Sequence, residues 1–353
     1  MQHISPISTA GRMIGPGHPC LIAAEIGINH NGDMSLAHRT IDAAADAGAD
    51  AVKLTNYKTE DFISDSSITY EYISQGKSVR ESQYEMFKRC ELSSGQLAEL
   101  FDHCKTRGLI YFATPTSENG VQELRQLHAP LVKNGSDSII HLPLIRAMAR
   151  SGIPTVQSTG MATLEEIEDA VNAFRDAGGT KLILLHCTSS YPTPDADVHL
   201  RKIPTLVAAF RCLVGFSDHT WGVTAAMGAV TLGACFVEKH FTLDRNLPGP
   251  DHRFSSDPAE LRALVEGIRK VEACIGNGVI GPAPSELVGR ENYRLSCVAI
   301  KALAAGRVLE ETDIAFRRPG SGLPPKAVGS LIGKKLRHPV PNGHIFSAED
   351  FDG

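Results

Sequence analysis

No two of the eight cysteines in this chain stand at the CxxC spacing of a zinc knuckle or a dithiol redox motif. Cys20, Cys90, Cys104, Cys187, Cys212, Cys235, Cys274 and Cys297 are scattered instead, several inside apolar runs where a free thiol behaves as a small hydrophobe. That usage fits a reducing compartment. Long apolar runs are missing too. None reaches the length of a bilayer, and the N-terminus has no basic segment followed by an apolar stretch. The expectation is a cytoplasmic protein with no membrane partner. A large charge excess is also lacking: the net charge is −5, which gives no reason to expect nucleic acid. Nucleotide phosphate loops are absent as well. No GxxxxGK[ST] occurs, and Gly276-Asn277-Gly278-Val279-Ile280-Gly281, which spells GxGxxG, follows a helical pattern and runs into a Pro-rich stretch. The dinucleotide fingerprint needs a strand before it and a helix after, so this reads as a helix end and linker.

What is present is a regular alternation. Hydrophobic residues make up 42% of the 353, enough for a sizeable core and for two domains. Short apolar runs occur at Leu21–Gly27, Ala51–Tyr57, Leu109–Pro115, Leu131–Ser136, Ile153–Gly160, Leu182–Thr188, Leu213–His219 and Cys235–Thr242. Amphipathic segments such as Ser35–Ala47, Ser93–Arg107 and Thr163–Ala177 lie between them, and Asp257–Ile275 follows the last. Near-continuous apolar strands alternating with helices predict a parallel sheet covered on both faces. Eight such units match an α/β fold of the (β/α)8 TIM-barrel type, with a doubly wound open sheet as the alternative.

Composition changes at Gly281-Pro282-Ala283-Pro284. The domain reading is therefore a barrel over 1–280, a linker over 281–293 and a small, mostly β module over 294–353. The module holds nine Lys/Arg against six Asp/Glu, a net of +3, which leaves −8 for the rest of the chain. Residues 63–92 form a long insertion after the second strand, the kind of loop that covers a substrate.

Polar residues gather in the later part of almost every predicted strand: Glu25, Lys53 with Thr55, Thr114, Lys133 with Ser136, Ser158 with Thr159, His186, Ser217 with His219, and Glu238 with His240. Barrel enzymes build their active sites at these strand ends. Residues i and i+2 share a face of a strand, so Ser217 and His219 point together, as do Glu238 and His240. Two imidazoles from neighbouring strands suit a divalent metal such as Mn²⁺ better than a closed zinc site; singly, each histidine is equally well a hydrogen-bonded rim residue. Glu25 at a strand end fits a base or a ligand for sugar hydroxyls. Lys53 and Lys133 form an anion site that hydroxyls of Thr114, Ser136, Ser158 and Ser217 can complete; the rival is a Schiff-base lysine. Tyr191-Pro192-Thr193-Pro194 and Gly249-Pro250-Asp251-His252 are rigid turns, and Asp251 is placed to meet substrate hydroxyls.

These stretches, together with Ala24-Glu25-Ile26-Gly27, Asn29-His30-Asn31-Gly32-Asp33, Glu81-Ser82-Gln83-Tyr84, Ser158-Thr159-Gly160-Met161, Ser217-Asp218-His219-Thr220 and Glu238-Lys239-His240-Phe241, resemble the sialic acid (N-acetylneuraminate) synthases. Arg318-Pro319-Gly320 and Leu331-Ile332-Gly333-Lys334-Lys335 resemble that family's C-terminal antifreeze-like (SAF) domain. The resemblance implies a transferase that joins phosphoenolpyruvate to an N-acylated mannosamine-type sugar, releasing phosphate and a 2-keto-3-deoxy sugar acid, and that works as a domain-swapped homodimer. It implies a divalent metal on His219 and His240, Mn²⁺ first with Mg²⁺ and Co²⁺ as alternatives. Phosphoenolpyruvate falls to Lys53, Thr114, Lys133, Ser136, Ser158 and Ser217, and the sugar to Glu25, Glu238 and Asp251 with Tyr191 beside it. Arg318 is to reach the N-acyl group from a partner subunit. Leu54-Thr55, Ser138 and Arg253-Phe254 depart from the family's usual residues near the sugar. The acceptor therefore stays open, with legionaminic, pseudaminic and other nonulosonate precursors beside the N-acetyl sugar.

Overall fold

The computed structural model describes residues 4–352, which form two compact units divided between Gly276 and Asn277. The first is the expected barrel. Its strands are β1 (Leu21–Gly27), β2 (Ala51–Asn56), β3 (Ile110–Pro115), β4 (Leu131–Asn134), β5 (Thr155–Ser158), β6 (Leu182–Cys187), β7 (Leu213–Asp218) and β8 (Phe236–His240). All pair in parallel with their sequence neighbours, and β8 pairs with β1 to close the ring. The strands lie within the apolar runs, each run overreaching by no more than a few residues into the loop that follows or precedes it.

Helices start where local chemistry provides a cap. Asp33 accepts from the amides of Ser35 and Leu36 at the head of Met34–Asp46, and Ser93 with Gln96 forms a reciprocal capping box on Ser94–Thr106. Thr163 and Glu166 do the same for Leu164–Asp176. Asp257 caps Pro258–Ile275, where proline occupies a first-turn position that needs no amide.

The barrel has an outer and an inner core. The outer one packs strands against helices, with Ile22, Val52, Leu100, Phe101, Ile203 and Leu264 fully buried or nearly so. The inner one stacks Leu21, Phe112, Val156, Leu185 and Phe236, and it is completed by Ile7 and Ile14. These two belong to a short N-terminal hairpin, Ile7–Thr9 with Arg12–Ile14, that plugs the amino-terminal end of the barrel. Arg12 and Arg269 both bind Asp50 at that end. The 63–92 insertion contains a second hairpin, Thr69–Ser74 with Lys77–Ser82, and the helix Gln83–Cys90. Met86 and Cys90 pack on Ile28 and Tyr57 beneath it. Among the described residues, no helix is long and apolar enough to cross a membrane.

The second unit has its own core of Cys297, Ala299, Leu309, Leu331, Leu336 and Phe346, with Ser296–Ala299 antiparallel to Ile314–Arg317. Asp313 is buried and receives Lys301 and Arg307. The stretch 281–293, read as the linker, carries short helical elements. Pro284–Glu286 makes one 3-10 turn and Leu287–Tyr293 a helix, with proline at a first-turn position that needs no amide.

Candidate active site

At the carboxyl-terminal end of the barrel lies a cavity of about 710 Å³ lined by residues from every strand. Glu25, Lys53, Thr114, Lys133, Ser136, Ser158, Tyr191, Ser217, His219, Glu238, His240 and Asp251 all face it. Arg318 belongs to the second unit. There its Nε donates to the carbonyl of Tyr293 at 3.0 Å and its guanidinium lies over the Tyr293 ring.

Two ion pairs make the cavity floor. Lys53 Nζ is 2.6 Å from Glu25 Oε2, and Lys133 Nζ is 3.0 Å from Glu238 Oε1. Ser217 donates to the same Glu238 oxygen at 3.2 Å. Their environments drive the two acids apart. Burial pushes the Glu25 carboxyl up to about 7, helped by the charge of Glu238 and opposed by Lys53. Burial acts on Glu238 in the same direction, but Lys133 and Lys53 outweigh it and hold the carboxyl at about 2. Burial disfavours the Lys53 ammonium, yet Glu25 and Glu238 overcome this and raise its pKa. Asp251, on the loop after β8, is pushed by burial to about 6.

The histidines form one wall. Their ring centroids are 5.4 Å apart, and Tyr191 covers both, 4.2 Å from His219 and 5.7 Å from His240. His219 Nδ1 donates to the carbonyl of Thr188 at 2.9 Å and its Nε2 lies 3.4 Å from Ser217 Oγ; burial disfavours the charged ring, but Cys187 and the Thr188 carbonyl outweigh it and raise the His219 pKa. The Nδ1 atom of His240 is buried with no hydrogen-bond partner among the described residues. Burial keeps that ring neutral, well below the ordinary histidine pKa. Two imidazoles with ring centroids 5.4 Å apart, one of them with a buried nitrogen that has no partner among the described residues, fit a divalent cation. No group of three or more His, Cys, Asp and Glu is arranged for one among the described residues, so water or substrate oxygens would fill the other positions.

The opposite wall is a set of hydroxyls: Thr55, Thr114, Thr116, Ser158 and Ser189 all have buried Oγ atoms with no partner among the described residues. Ser136 is engaged, accepting from the Gly160 amide at 3.1 Å. A Cβ at Gly160 would collide with the hydroxyls of Ser136 and Ser189, so that glycine lets the backbone approach.

Strand alternation also sorts the residues that do not belong. Asp218 and Lys239 lie between the site residues and face away from the cavity, where Lys239 Nζ binds Asp218 at 2.8 Å and the Thr220 carbonyl at 2.8 Å. His186 is likewise turned outward, onto the carbonyl of Val198. Its inward neighbour is Cys187, 3.8 Å from His219 Nδ1 and within reach of Ser136. The reading of strand six was therefore one residue out of phase: period-two counting back from the loop would have found Cys187. Thr116, Asp137 and Ser189 are further lining residues that lie beyond the strand ends.

An eight-stranded barrel with lysines, acids and paired imidazoles at its carboxyl-terminal mouth is the layout of a barrel enzyme, and the sequence comparisons say of which family. Residues 40–280 match the NeuB family and residues 296–352 match the SAF domain. The chain is 38% identical to the N,N'-diacetyllegionaminic acid synthase of Campylobacter jejuni, over 89% of this chain and 95% of that one. It is 32% identical to the human N-acetylneuraminate-9-phosphate synthase, over 92% and 91%. The crystal structure of N-acetylneuraminic acid synthetase from Leptospira borgpetersenii superposes with a TM-score of 0.73 at 33% identity, over 82% and 96% of the two chains. This chain belongs to the NeuB family of nonulosonate synthases and carries a C-terminal SAF domain.

Proposed function

We propose that the enzyme condenses phosphoenolpyruvate with an N-acylated mannosamine-type sugar, releasing phosphate and a nine-carbon 2-keto-3-deoxy acid. The observation that carries this reading is the division of one cavity into two walls. One, with the floor beneath it, offers Lys53, Lys133 and a row of unbonded hydroxyls to an anion with many oxygens. The other offers two imidazoles, Tyr191 and Asp251 to a sugar.

C3 of phosphoenolpyruvate attacks the sugar's aldehyde carbon and the aldehyde oxygen takes up a proton. Water adds at the resulting C2 cation, losing its proton, and the tetrahedral centre expels phosphate as the C2 ketone forms. Lys53 and Lys133 hold the carboxylate and phosphate against the hydroxyls of Thr114, Ser136 and Ser158, which is positioning and electrostatic stabilisation. Glu25, with a pKa near neutrality, is suited to give a proton to the aldehyde oxygen or to take one from the adding water. Glu238, held anionic by Lys133, orients Ser217 and stabilises positive charge at C2. A divalent cation on His219 and His240, Mn²⁺ by preference, would supply Lewis-acid polarisation of the aldehyde oxygen. Arg318, held by Tyr293, would read the N-acyl group across a domain-swapped homodimer, where its planar fork suits a carbonyl acceptor.

A Schiff-base mechanism is disfavoured because both lysines sit in ion pairs as ammoniums, whereas an imine-forming lysine must shed its proton. The test is phosphate release from phosphoenolpyruvate across a panel of N-acyl mannosamine-type sugars, including 4-acylamino and 6-phosphorylated forms. Turnover with one of them, abolished by chelation and restored by Mn²⁺, is the expected result. Turnover that survives exhaustive chelation, or a borohydride-reduced adduct on Lys53 or Lys133, would overturn it.

A further inference from the structure

The Asn29-His30-Asn31-Gly32 stretch is not explained by substrate chemistry, since neither asparagine lines the cavity. We infer that this loop is a clamp that positions Asp251, and that Asn31 is its principal positioning residue. The inference rests on the reading of Asp251 as a sugar-contacting acid.

The contacts are long-range and surround the acid. Asn31 Nδ2 donates to the carbonyl of Pro248 at 2.7 Å and lies 3.2 Å from His252 Nε2, which uses both of its amide hydrogens. The rest of the chain of bonds has one consistent set of protons. With Nε2 accepting from Asn31, His252 Nδ1 donates to Thr242 Oγ1 at 2.7 Å, and Thr242 donates to the Asp244 carbonyl at 3.1 Å. The neutral ring this requires agrees with burial, which lowers the His252 pKa to about 4. On the other side, Asn29 Nδ2 binds the Phe241 carbonyl at 2.9 Å and Ser255 Oγ at 3.0 Å. Ser255 in turn donates to the carbonyl of Asp251 itself at 2.6 Å. The two asparagines thus hold the backbone before and at Asp251.

The loop's own backbone is built for this reach. Asn31 has φ +50, a left-handed conformation that asparagine tolerates better than most residues. Gly32 follows at φ +77, where a Cβ would collide with the Arg89 carbonyl. The insertion hairpin adds a third hold, as Ser74 Oγ accepts from the Gly249 amide at 3.1 Å. Asp251 is left with its carboxylate 3.9 Å from His240 Nδ1 and, among the described residues, no side-chain hydrogen bond of its own to fix it. Its aim is set by the backbone that the clamp holds.

Two substitutions separate the clamp from a general loss of fold. Asn31→Gly accepts the left-handed backbone and leaves Pro248 to water. Asn31→Asp keeps the size but sets a carboxylate against the Pro248 carbonyl. Hydrogen exchange of the full chain should show faster exchange over 244–256 in both variants, more in Asn31→Asp, with the β6 strand unchanged. Steady-state kinetics should show the sugar KM raised about tenfold, the equivalent of one good hydrogen bond, and the phosphoenolpyruvate KM changed by less than about twofold. Unchanged exchange over 244–256 would overturn the clamp, as would equal rises in both KM values. If the wild-type enzyme turns over no N-acyl sugar, the functional reading falls, and the exchange experiment still decides whether the clamp exists.

Discussion

The two ends of the barrel solve opposite problems. At the amino-terminal end, Ile7 and Ile14 fill the bore against Leu21, Phe112 and Phe236 without a buried charge among them. At the carboxyl-terminal end, two carboxylates and two ammoniums sit in nearly complete burial, and five hydroxyls go unbonded. The first arrangement stabilises; the second spends stability on a preorganised polar surface, since buried ion pairs rarely outperform apolar packing. The comparison locates function in the half of the molecule that is thermodynamically uncomfortable.

The sharpest way to break the comparison is to unpair one charge at the mouth. Lys133→Met leaves the Glu238 carboxylate buried without its ammonium, and should cost about 3–5 kcal/mol along with all measurable turnover. Adding Glu238→Gln should restore most of the stability and none of the activity, as read from urea unfolding and phosphate release. Recovery of turnover in the double variant would mean the pair is only structural.

At the other end, Ile14→Ala should cost about 3 kcal/mol through the cavity it leaves in the plug. Both KM values should stay near those of the parent. A changed sugar KM would show that the plug and the mouth are not independent.

Acid provides the next test. His30 and His252 are held neutral by burial, each lowered to about 4 from an ordinary 6.5. A depressed folded-state pKa means the unfolded chain binds the proton first, so stability is fully present above about 6.5 and is lost as pH falls toward 4. Between pH 7 and pH 5 the loss should approach about 2 kcal/mol per histidine. His30→Asn, which keeps an acceptor for the Gly32 amide, should flatten the slope by one proton. An unchanged slope would place the acid sensitivity elsewhere.

The smallest effect belongs to the unbonded hydroxyls. Thr116→Val removes an oxygen that bonds to nothing in the free protein, and should shift stability by no more than about 0.5 kcal/mol. A large loss would mean that Thr116 already serves the fold.

Much of this was legible beforehand, for a physical reason. The barrel strands are buried on both faces, so each is a continuous apolar run that stands out from its surroundings. The lysines, acids and paired histidines stood out as charges inside those runs. The plug did not, because its strands have three residues each and no periodicity can be seen in three. His186 was placed in the site because it is polar and near a strand end, while the pleat turns it outward. The clamp was invisible for another reason: Asn31 and Pro248 are 217 residues apart, and no local pattern announces such a partner.

The plugged bore has a kinetic consequence. A barrel closed below has a single doorway, so everything that enters must leave the same way. Whichever ligand rests on Lys133 and Ser158 at the bottom of the cavity has to arrive before the one that meets Tyr191 and Asp251 nearer the rim. It also cannot depart past an occupied rim. Traffic through the cavity is therefore a queue, in which the deep occupant enters first and leaves last.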